Sequence, residues 1–491
     1  MAALRWRTTI CFWERAQRQG RPPRSEHRKV TVYSVLTARE QRLSQKITRQ
    51  QVDAIYTLLC SPAAGALEQG IAMLHSFDDP RLWARLTRSI RLDQSTGTVS
   101  VIEGSELGGV LPDDGRSWVP LNLLLHAGKL KTARHLRVAR CTQLTSLDIF
   151  SGLSSLRTLQ ISLCPNLADI SAIGQLSALT SVRFSQCDAL VDLTPLAALP
   201  RLTAVDVSSS PASLQLAGLS QLTALTELDL SYCRAVTALS ALSGLGSLQK
   251  LTLTGSPIRS LRGASGLRRL ALLDLSCCGE LNDISGIAQL SALTTLDLSS
   301  SSVRDISPLA GISGLTALRL GDCGSLDIAP LEALTSLRSL DLSDNPDLES
   351  LAPLRATSGL RDVRCIGCSS LHDIDGLSGH TLLTHARLTD CTALTTLDAL
   401  IPLRKLALLD LRRCVSLGDV DAVRHLSMLR ALDLSQCPRL PRGIQRNHIG
   451  REAISALNHK LPPSKPGAAA PEPQRPPRPR KKKAKRRKRR R

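Results

Sequence analysis

Leucine recurs along most of this chain at intervals of 22 or 23 residues, and this period limits what the chain can fold into. A unit this short cannot bury an apolar face alone, so successive units must stack and share one core. Hydrophobic residues make up 42% of the sequence and aromatic residues only 2%, which suits stacked aliphatic layers. The units open at Leu156, Leu179, Leu202, Leu225, Leu248, Leu270, Leu293, Leu315, Leu337, Leu360, Leu383, Leu406 and Leu429, after a degenerate unit that opens at Ala133.

Within each unit, apolar residues occupy fixed positions, counted from the opening residue as position 0. They fall at positions 0, 3, 5, 11, 14, 17 and 20, as in Leu156, Leu159, Ile161, Leu167, Ile170, Ile173 and Leu176. The alternation at positions 3 and 5 predicts a short, half-buried strand. The later spacing by threes predicts a 3₁₀ or short helical segment that returns the chain on the opposite side.

Position 8 carries a small polar or sulfur-containing residue in every unit. Such a side chain can bond to backbone groups where the chain turns inward after the strand. Ten of the 14 cysteines lie there, so we interpret them as buried structural thiols in a reducing compartment; disulfides, metal ligands or a redox centre are the alternatives. The residues are Cys141, Cys164, Cys187, Ser210, Cys233, Ser256, Cys278, Ser301, Cys323, Asn345, Cys368, Cys391, Cys414 and Cys437.

These motifs resemble leucine-rich repeats, whose pattern is L-x-x-L-x-L-x-x-N/C-x-L. The resemblance extends from about residue 110 to residue 450, and the phrase LALLDLSCCGELNDISGIAQL at Leu270 to Leu290 looks like the 22-residue subclass of internalins and protein-phosphatase-1 regulatory subunits. It implies an α/β solenoid, a right-handed horseshoe with a parallel sheet on its concave face and short helical turns on its convex face. It also implies a non-enzymatic protein binder. The cysteine-rich position 8 and the basic C-terminus depart from that subclass.

The rest of the chain is divided by changes in composition. We predict a basic, disordered leader at 1–49, a helical N-terminal region at 50–109 and an N-terminal cap at 110–132 whose own strand is missing. About fourteen repeats follow at 133–447, and then a C-terminal capping helix at 448–460. Residues 461–491 form a Pro-rich linker and a polybasic tail, for which we predict disorder.

The formal charge of +21 is concentrated at the two ends. Residues 478–491 contain twelve Lys or Arg and no acid, and residues 1–49 contain twelve against three acids, so the charge of residues 50–477 sums to zero. General attraction to polyanions therefore belongs to the ends. The predicted polyanion-binding residues are Lys481, Lys482, Lys483, Lys485, Arg486, Arg487, Lys488, Arg489, Arg490 and Arg491.

We find no catalytic motif that the repeat pattern does not already explain, so we expect no enzyme activity, cofactor or metal. Cys365 and Cys368 form a C-x-x-C, but they occupy an inward strand position and position 8, where both thiols should be buried. Cys277 should be the most exposed thiol of the repeats. The sequence contains no run of 18 apolar residues, so we expect no transmembrane helix.

The side chains at positions 2, 4 and 6 should share the open face of the predicted sheet, which we call the strand face. Position 4 is rich in Asp and Arg; the aspartates are either part of the repeat consensus or a binding stripe, and both interpretations remain open. Tyr232, His135, His385 and Arg412 depart from the common Ser and Thr of this region. The predicted partner-binding residues are Arg137, Arg183, Asp206, Asp229, Tyr232, Asp274, Asp297, Arg319, Asp341, Arg364, His385, Arg387, Asp410, Arg412 and Asp433.

The sequence thus predicts a monomeric, cytoplasmic scaffold that binds a protein partner on the strand face, with a polybasic tail that attaches it to nucleic acid or another polyanion. A nuclear or mitochondrial location is the alternative in a eukaryotic host. The alternative function is a nucleic-acid-associated protein that acts through its tail, whose closely spaced cations would bind phosphate backbones without sequence preference.

Overall fold

The computed structural model describes residues 131–461 except 212, and before them the segments 50–51, 54–55, 58, 66–77, 90–93 and 98–102. The chain divides into two compact units, Met1–Asn345 and Pro346–Arg491. The predicted leader at 1–49, most of the predicted N-terminal cap and the tail from 462 onward lie outside the described residues. No helix in the described part is both long and apolar enough to cross a membrane.

In its described part, the first unit contains the helix α1 and a sheet that is parallel from its second strand onward. Equivalent positions of successive repeats pair in register, as Leu273 does with Leu296 and Leu296 with Leu318. The elements are α1 (Ala66–Phe77), β1 (Ile90–Asp93), β2 (Thr98–Ile102), β3 (His135–Ala139), β4 (Thr158–Ser162), β5 (Ser181–Ser185), β6 (Ala204–Asp206), β7 (Glu227–Asp229), β8 (Lys250–Thr252), β9 (Leu272–Asp274), β10 (Thr295–Asp297), β11 (Ala317–Arg319) and β12 (Ser339–Asp341).

The second unit repeats this arrangement and ends with an antiparallel strand and a helix. Its strands β13 to β16 pair in parallel, and β17 pairs antiparallel with β16. The elements are β13 (Asp362–Arg364), β14 (His385–Arg387), β15 (Leu408–Asp410), β16 (Ala431–Asp433), β17 (Asn447–Ile449) and α2 (Arg451–Lys460).

A 3₁₀ segment follows each strand from β3 to β15, as the spacing by threes predicts. An aspartate two residues before the segment often accepts a hydrogen bond from its first backbone N–H, as Asp283 Oδ1 does from Ser285 at 2.9 Å. The segments are 148–150, 171–175, 194–198, 217–221, 240–242, 264–266, 285–289, 307–311 and 329–333 in the first unit, and 352–356, 375–377, 398–400 and 421–425 in the second.

The core of each unit is made of aliphatic columns that run from repeat to repeat. Leu273, Leu296 and Leu318 form part of the position 3 column, and each is at most 1% exposed. Since each apolar position stacks on its equivalent in the next repeat, the column needs no large ring to fill it. The parallel sheet and the 3₁₀ returns therefore confirm the predicted α/β solenoid.

The N-terminal region differs from the sequence prediction. Residues 66–77 are helical as predicted, but β1 and β2 form an antiparallel pair where only helices were expected. β2 also pairs in parallel with β3, so the strand that seemed to be missing before Ala133 lies upstream, at Thr98–Ile102. The C-terminal helix begins at Arg451, because the three residues before Gly450 are used for β17.

Candidate functional site

The strand face consists of the outward side chains of the parallel strands. In β9, Leu273 points into the core, while Leu272 and Asp274 on either side are partly exposed. The same alternation holds in β14, where Ala386 is buried between His385 and Arg387. Each strand therefore supplies one inward anchor between two outward side chains.

A left-handed turn ends each strand. The residue at position 7 has a positive φ in all fourteen repeats, and it is glycine in only two of them, Gly255 and Gly367. Arg140, with φ of 59°, and Gln436, with φ of 62°, show that residues with a β-carbon are held in this conformation from the first repeat to the last. Such residues are disfavoured in the left-handed region, so the turn must be stabilised by its neighbours.

Position 8 stabilises this turn from inside, and in most repeats its side chain bonds to a carbonyl of the preceding repeat. Cys278 Sγ donates to Leu253 O at 3.2 Å, and Cys414 Sγ donates to Leu388 O at 3.0 Å. Asn345 does more, because its amide donates to Leu320 O and Leu342 O, both at 2.8 Å, and its Oδ1 accepts from Cys323 N at 3.0 Å. The position 8 residues thus tie adjacent repeats together.

The aspartates at position 4 stabilise the same turn from outside. Asp274 Oδ1 accepts from the backbone N–H of Ser276 at 2.9 Å and from its hydroxyl at 2.7 Å. Six further aspartates accept from the backbone N–H two residues later, at 2.9 to 3.2 Å. This bond gives the aspartates a structural role in their own repeat. The seven are Asp206, Asp229, Asp274, Asp297, Asp341, Asp410 and Asp433.

Arginines of neighbouring repeats bind the second carboxylate oxygen of several of these aspartates. Arg183 Nε lies 2.5 Å from Asp206 Oδ2, and Arg319 Nη1 lies 3.1 Å from Asp297 Oδ2. In each pair the two residues stand opposite each other in adjacent strands. Each guanidinium therefore forms an ion pair with a carboxylate of the adjacent repeat.

The second unit carries a denser set of charges on its strand face. Asp362 lies between two arginines, with Arg387 Nη1 at 3.1 Å and Arg364 Nη2 at 3.6 Å. Arg412 binds Asp410 Oδ2 at 2.8 Å and lies 3.8 Å from Asp433 Oδ2. Positive and negative side chains therefore alternate on this surface and largely neutralise one another.

Most of the predicted partner-binding residues lie on the strand face, and two have unexpected environments. Asp297 is only 9% exposed, so its carboxylate offers little surface to a partner. Tyr232 occupies position 7 in the left-handed turn after β7 and is 55% exposed, making it the most exposed aromatic side chain in the described part of the chain. A β-carbon on Gly255 would come within 2.5 Å of its ring, so the ring lies against that glycine.

At position 2, the sequence analysis singled out only His135 and His385 and passed over the other side chains. Glu227 and Lys250 are exposed and stand opposite each other in β7 and β8, and Asp362 binds two arginines in the second unit. These side chains vary from repeat to repeat, whereas six of the seven aspartates at position 4 are followed by Ser at position 6. That recurrent D-x-S pair was the available sign that the aspartates serve the turn.

The position 8 thiols are buried. Burial raises the pKa of Cys164 and Cys414 to about 12, and of Cys187 and Cys278 to about 11. Cys365 and Cys368 are both fully buried, as predicted, and Cys277 is the exposed thiol among the described cysteines. Within the described residues, no group of three or more His, Cys, Asp or Glu side chains is arranged to hold a metal ion.

The repeated strand, left-handed turn, inward-bonding position 8 and 3₁₀ return define a leucine-rich-repeat fold. A family model described as "Leucine Rich repeat" matches residues 333–350, which cover less than one repeat. Comparison with curated proteins gave no significant sequence match.

Solved structures of leucine-rich-repeat proteins share the fold. A Leptospira interrogans protein of this kind is 17% identical, with 69% of this chain and 97% of that chain covered and a TM-score of 0.50. Toll, in the Drosophila Toll–Spatzle complex, is 18% identical, with 71% and 52% covered and a TM-score of 0.53. TLR13, in complex with ssRNA13, is 20% identical, with 64% and 55% covered and a TM-score of 0.50. This chain thus spans about half the length of the latter two.

Proposed function

We propose that this protein is a non-enzymatic scaffold that binds a protein partner on its strand face. The observation that carries the proposal is the open row of side chains at position 2, which differs in chemistry from repeat to repeat while the core columns stay constant. Variation on an exposed, rigid surface is what recognition of a specific partner requires. The fold relative Toll is captured in complex with Spatzle, which supports the same use of the fold here.

Within this proposal, the aspartates at position 4 contribute mainly by fixing the turns. The side chains that select the partner are then Tyr232, Glu227 and Lys250 at position 2, and the arginines. Assignment to the 22-residue subclass of internalins is part of this proposal; three of the twelve leucine-to-leucine intervals are 22 residues and nine are 23.

The polybasic tail, whose predicted residues Lys481 to Arg491 lie outside the described part, supplies a second attachment in this proposal. The twelve cations of residues 478–491 would bind nucleic acid or another polyanion with strong dependence on salt. The specific observation that favours the alternative, a nucleic-acid-associated protein, is this concentration of charge; TLR13, a fold relative, is captured with ssRNA13.

Capture from host lysate separates the two functions. Full-length protein and a version that ends at Lys460 are compared with and without nuclease, at low and high salt. We expect one protein to remain bound to both versions after nuclease and high salt. Loss of all retained material with the tail would favour the nucleic-acid function and contradict the scaffold.

A surface variant then tests whether that protein binds at the strand face. Tyr232→Ala on the strand side should reduce capture of that protein at least tenfold, as removal of an exposed interface aromatic does. Arg404→Ala, an exposed change at a turn on the return side, is the control and should leave capture unchanged. Equal loss with both variants would contradict binding at the strand face.

A further inference from the structure

Two aspartates of the first unit keep an unoccupied carboxylate oxygen where equivalent aspartates bind an arginine. Asp229 and Asp274 use Oδ1 for the turn, at 2.9 Å from Ser231 N and Ser276 N. No ion pair to either carboxylate is found among the described residues of the first unit. Their Oδ2 atoms therefore remain available to a ligand.

The residue between the two aspartates, Thr252, explains why neither Oδ2 atom binds an arginine. Thr252 stands opposite Asp229 on one side and Asp274 on the other, in register across β7, β8 and β9. Arg183 and Arg319 occupy the corresponding places beside Asp206 and Asp297, and each reaches the carboxylate. Where those repeats supply a guanidinium from within the chain, the repeat of β8 supplies only a short hydroxyl side chain.

We propose that this place, the Thr252 slot, receives an arginine side chain from the protein partner. The slot is defined by Asp229, Thr252 and Asp274, whose outer strands are separated by two strand spacings, roughly 9.6 Å. A guanidinium above Thr252 can donate to a carboxylate on either side, as the chain's own arginines do on adjacent repeats. The ligand class is thus an arginine-bearing segment.

The surroundings of the slot suit a cation. Glu227 and Lys250 oppose each other at position 2 and offset each other's charge, so the two aspartates leave the patch with a net charge of −2. The exposed ring of Tyr232 lies against Gly255 at the turn end of the same strands and offers an aromatic face. An arginine stem can pack there while its head lies between the carboxylates.

The inference rests on the proposed function, since it names the chemistry of the partner at the strand face. The test uses the full chain and a fluorescein-labelled peptide, Ser-Arg-Ser-Arg-Ser-Arg, with a matched peptide in which neutral citrulline replaces arginine. Binding is measured by fluorescence anisotropy at low and at physiological ionic strength. We expect the arginine peptide to bind and the citrulline peptide to bind on the order of tenfold more weakly.

Two variants address the slot without removing the turns. In the double variant Asp229→Asn and Asp274→Asn, the amide oxygens keep the turn bonds and the charge is lost, so binding should fall on the order of tenfold. Thr252→Arg fills the slot from within the chain and should block the peptide although both carboxylates remain. Thr223→Arg adds the same charge at an exposed residue in the turn between the 3₁₀ segment 217–221 and β7, and should have no comparable effect.

Unchanged peptide affinity in the double variant, or equal affinity for the citrulline peptide, would overturn the assignment. Salt-dependent self-association of the full chain that Thr252→Arg abolishes would assign the slot to the basic tail of a second copy and would also overturn it. Failure here is separable from failure of the scaffold, because a lysate partner that still depends on Tyr232 would leave the scaffold standing.

Discussion

The two side chains that hold the turn after each strand differ in where their bonds go. Position 8 is buried, and it reaches the preceding repeat, as Asn345 does in its bonds to Leu320 and Cys323. Position 4 is on the surface, and the bond of Asp274 stays within its own repeat. The inner residue therefore couples repeats, while the outer one shapes a single repeat.

This difference shows why position 4 can change its chemistry. Where Arg319 replaces aspartate, the turn keeps its inner bond, since Cys323 Sγ still donates to Leu298 O at 3.3 Å. The outer side chain is then used for an ion pair with the neighbouring repeat. Surface variation is tolerated because the turn does not depend on the outer bond alone.

The largest effect should come from breaking the inner bond. Asn345→Ala removes a 2% exposed side chain with four backbone partners and leaves those groups unsatisfied, which should lower the free energy of unfolding by about 3 kcal/mol. Urea unfolding measures the loss. Asn345→Ser keeps a polar group that other repeats use here and should cost less; an equal loss in both variants would contradict the role of the bonds.

Breaking the outer bond should have a smaller effect. Asp274→Ala removes the acceptor for Ser276 N and its hydroxyl, and should lower the free energy of unfolding by about 1 kcal/mol, as loss of a capping side chain does. Asp274→Asn, which retains an acceptor, is the control and should unfold near the original urea concentration. If Asp274→Ala were as costly as Asn345→Ala, the proposed division between inner and outer bonds would be wrong.

The smallest effect should appear with pH, at the aspartates that precede the 3₁₀ segments. Hydrogen bonds from the side chain and backbone of Ser285 lower the pKa of Asp283 to about 2, and similar bonds lower the pKa of Asp169, Asp192, Asp305 and Asp373. Because the folded state favours the charged form, this stabilisation is present above the ordinary pKa of 3.8 and is lost as pH falls through the lowered value.

Urea midpoints between pH 5 and pH 2 test this expectation. Asp283→Asn keeps an acceptor that cannot titrate, so its midpoint should fall less steeply with acid than that of the original protein. Since the carboxylates are exposed, the difference between the two should be small. Parallel curves would show that Asp283 does not contribute to the acid sensitivity.

The repeat architecture could be predicted from sequence because the same apolar positions recur fourteen times. The strands β1 and β2 were missed because they lie outside the period, although T-V-S-V-I at Thr98–Ile102 has the alternation of a strand. Strand β17 was missed because only three residues form it.

The candidate site was only partly predictable. The period places position 4 on the strand face, but it cannot tell which carboxylate oxygen serves the turn and which remains open. That distinction depends on partners across repeats, such as Arg183 for Asp206 and Thr252 for Asp274. Whether the charged residues bind a partner remains a prediction.

Because the cysteines at position 8 are buried, the reactivity of their thiols reports where the protein opens locally. A thiol with a pKa raised by burial, such as that of Cys164 or Cys414, is shielded from alkylating reagents while its repeat is closed. Each of the ten repeats with a cysteine at position 8 exposes its own thiol when it opens, whereas Cys277 is at the surface from the start. Mass spectrometry of partially alkylated protein can therefore report, repeat by repeat, where the solenoid opens first, without any engineered label.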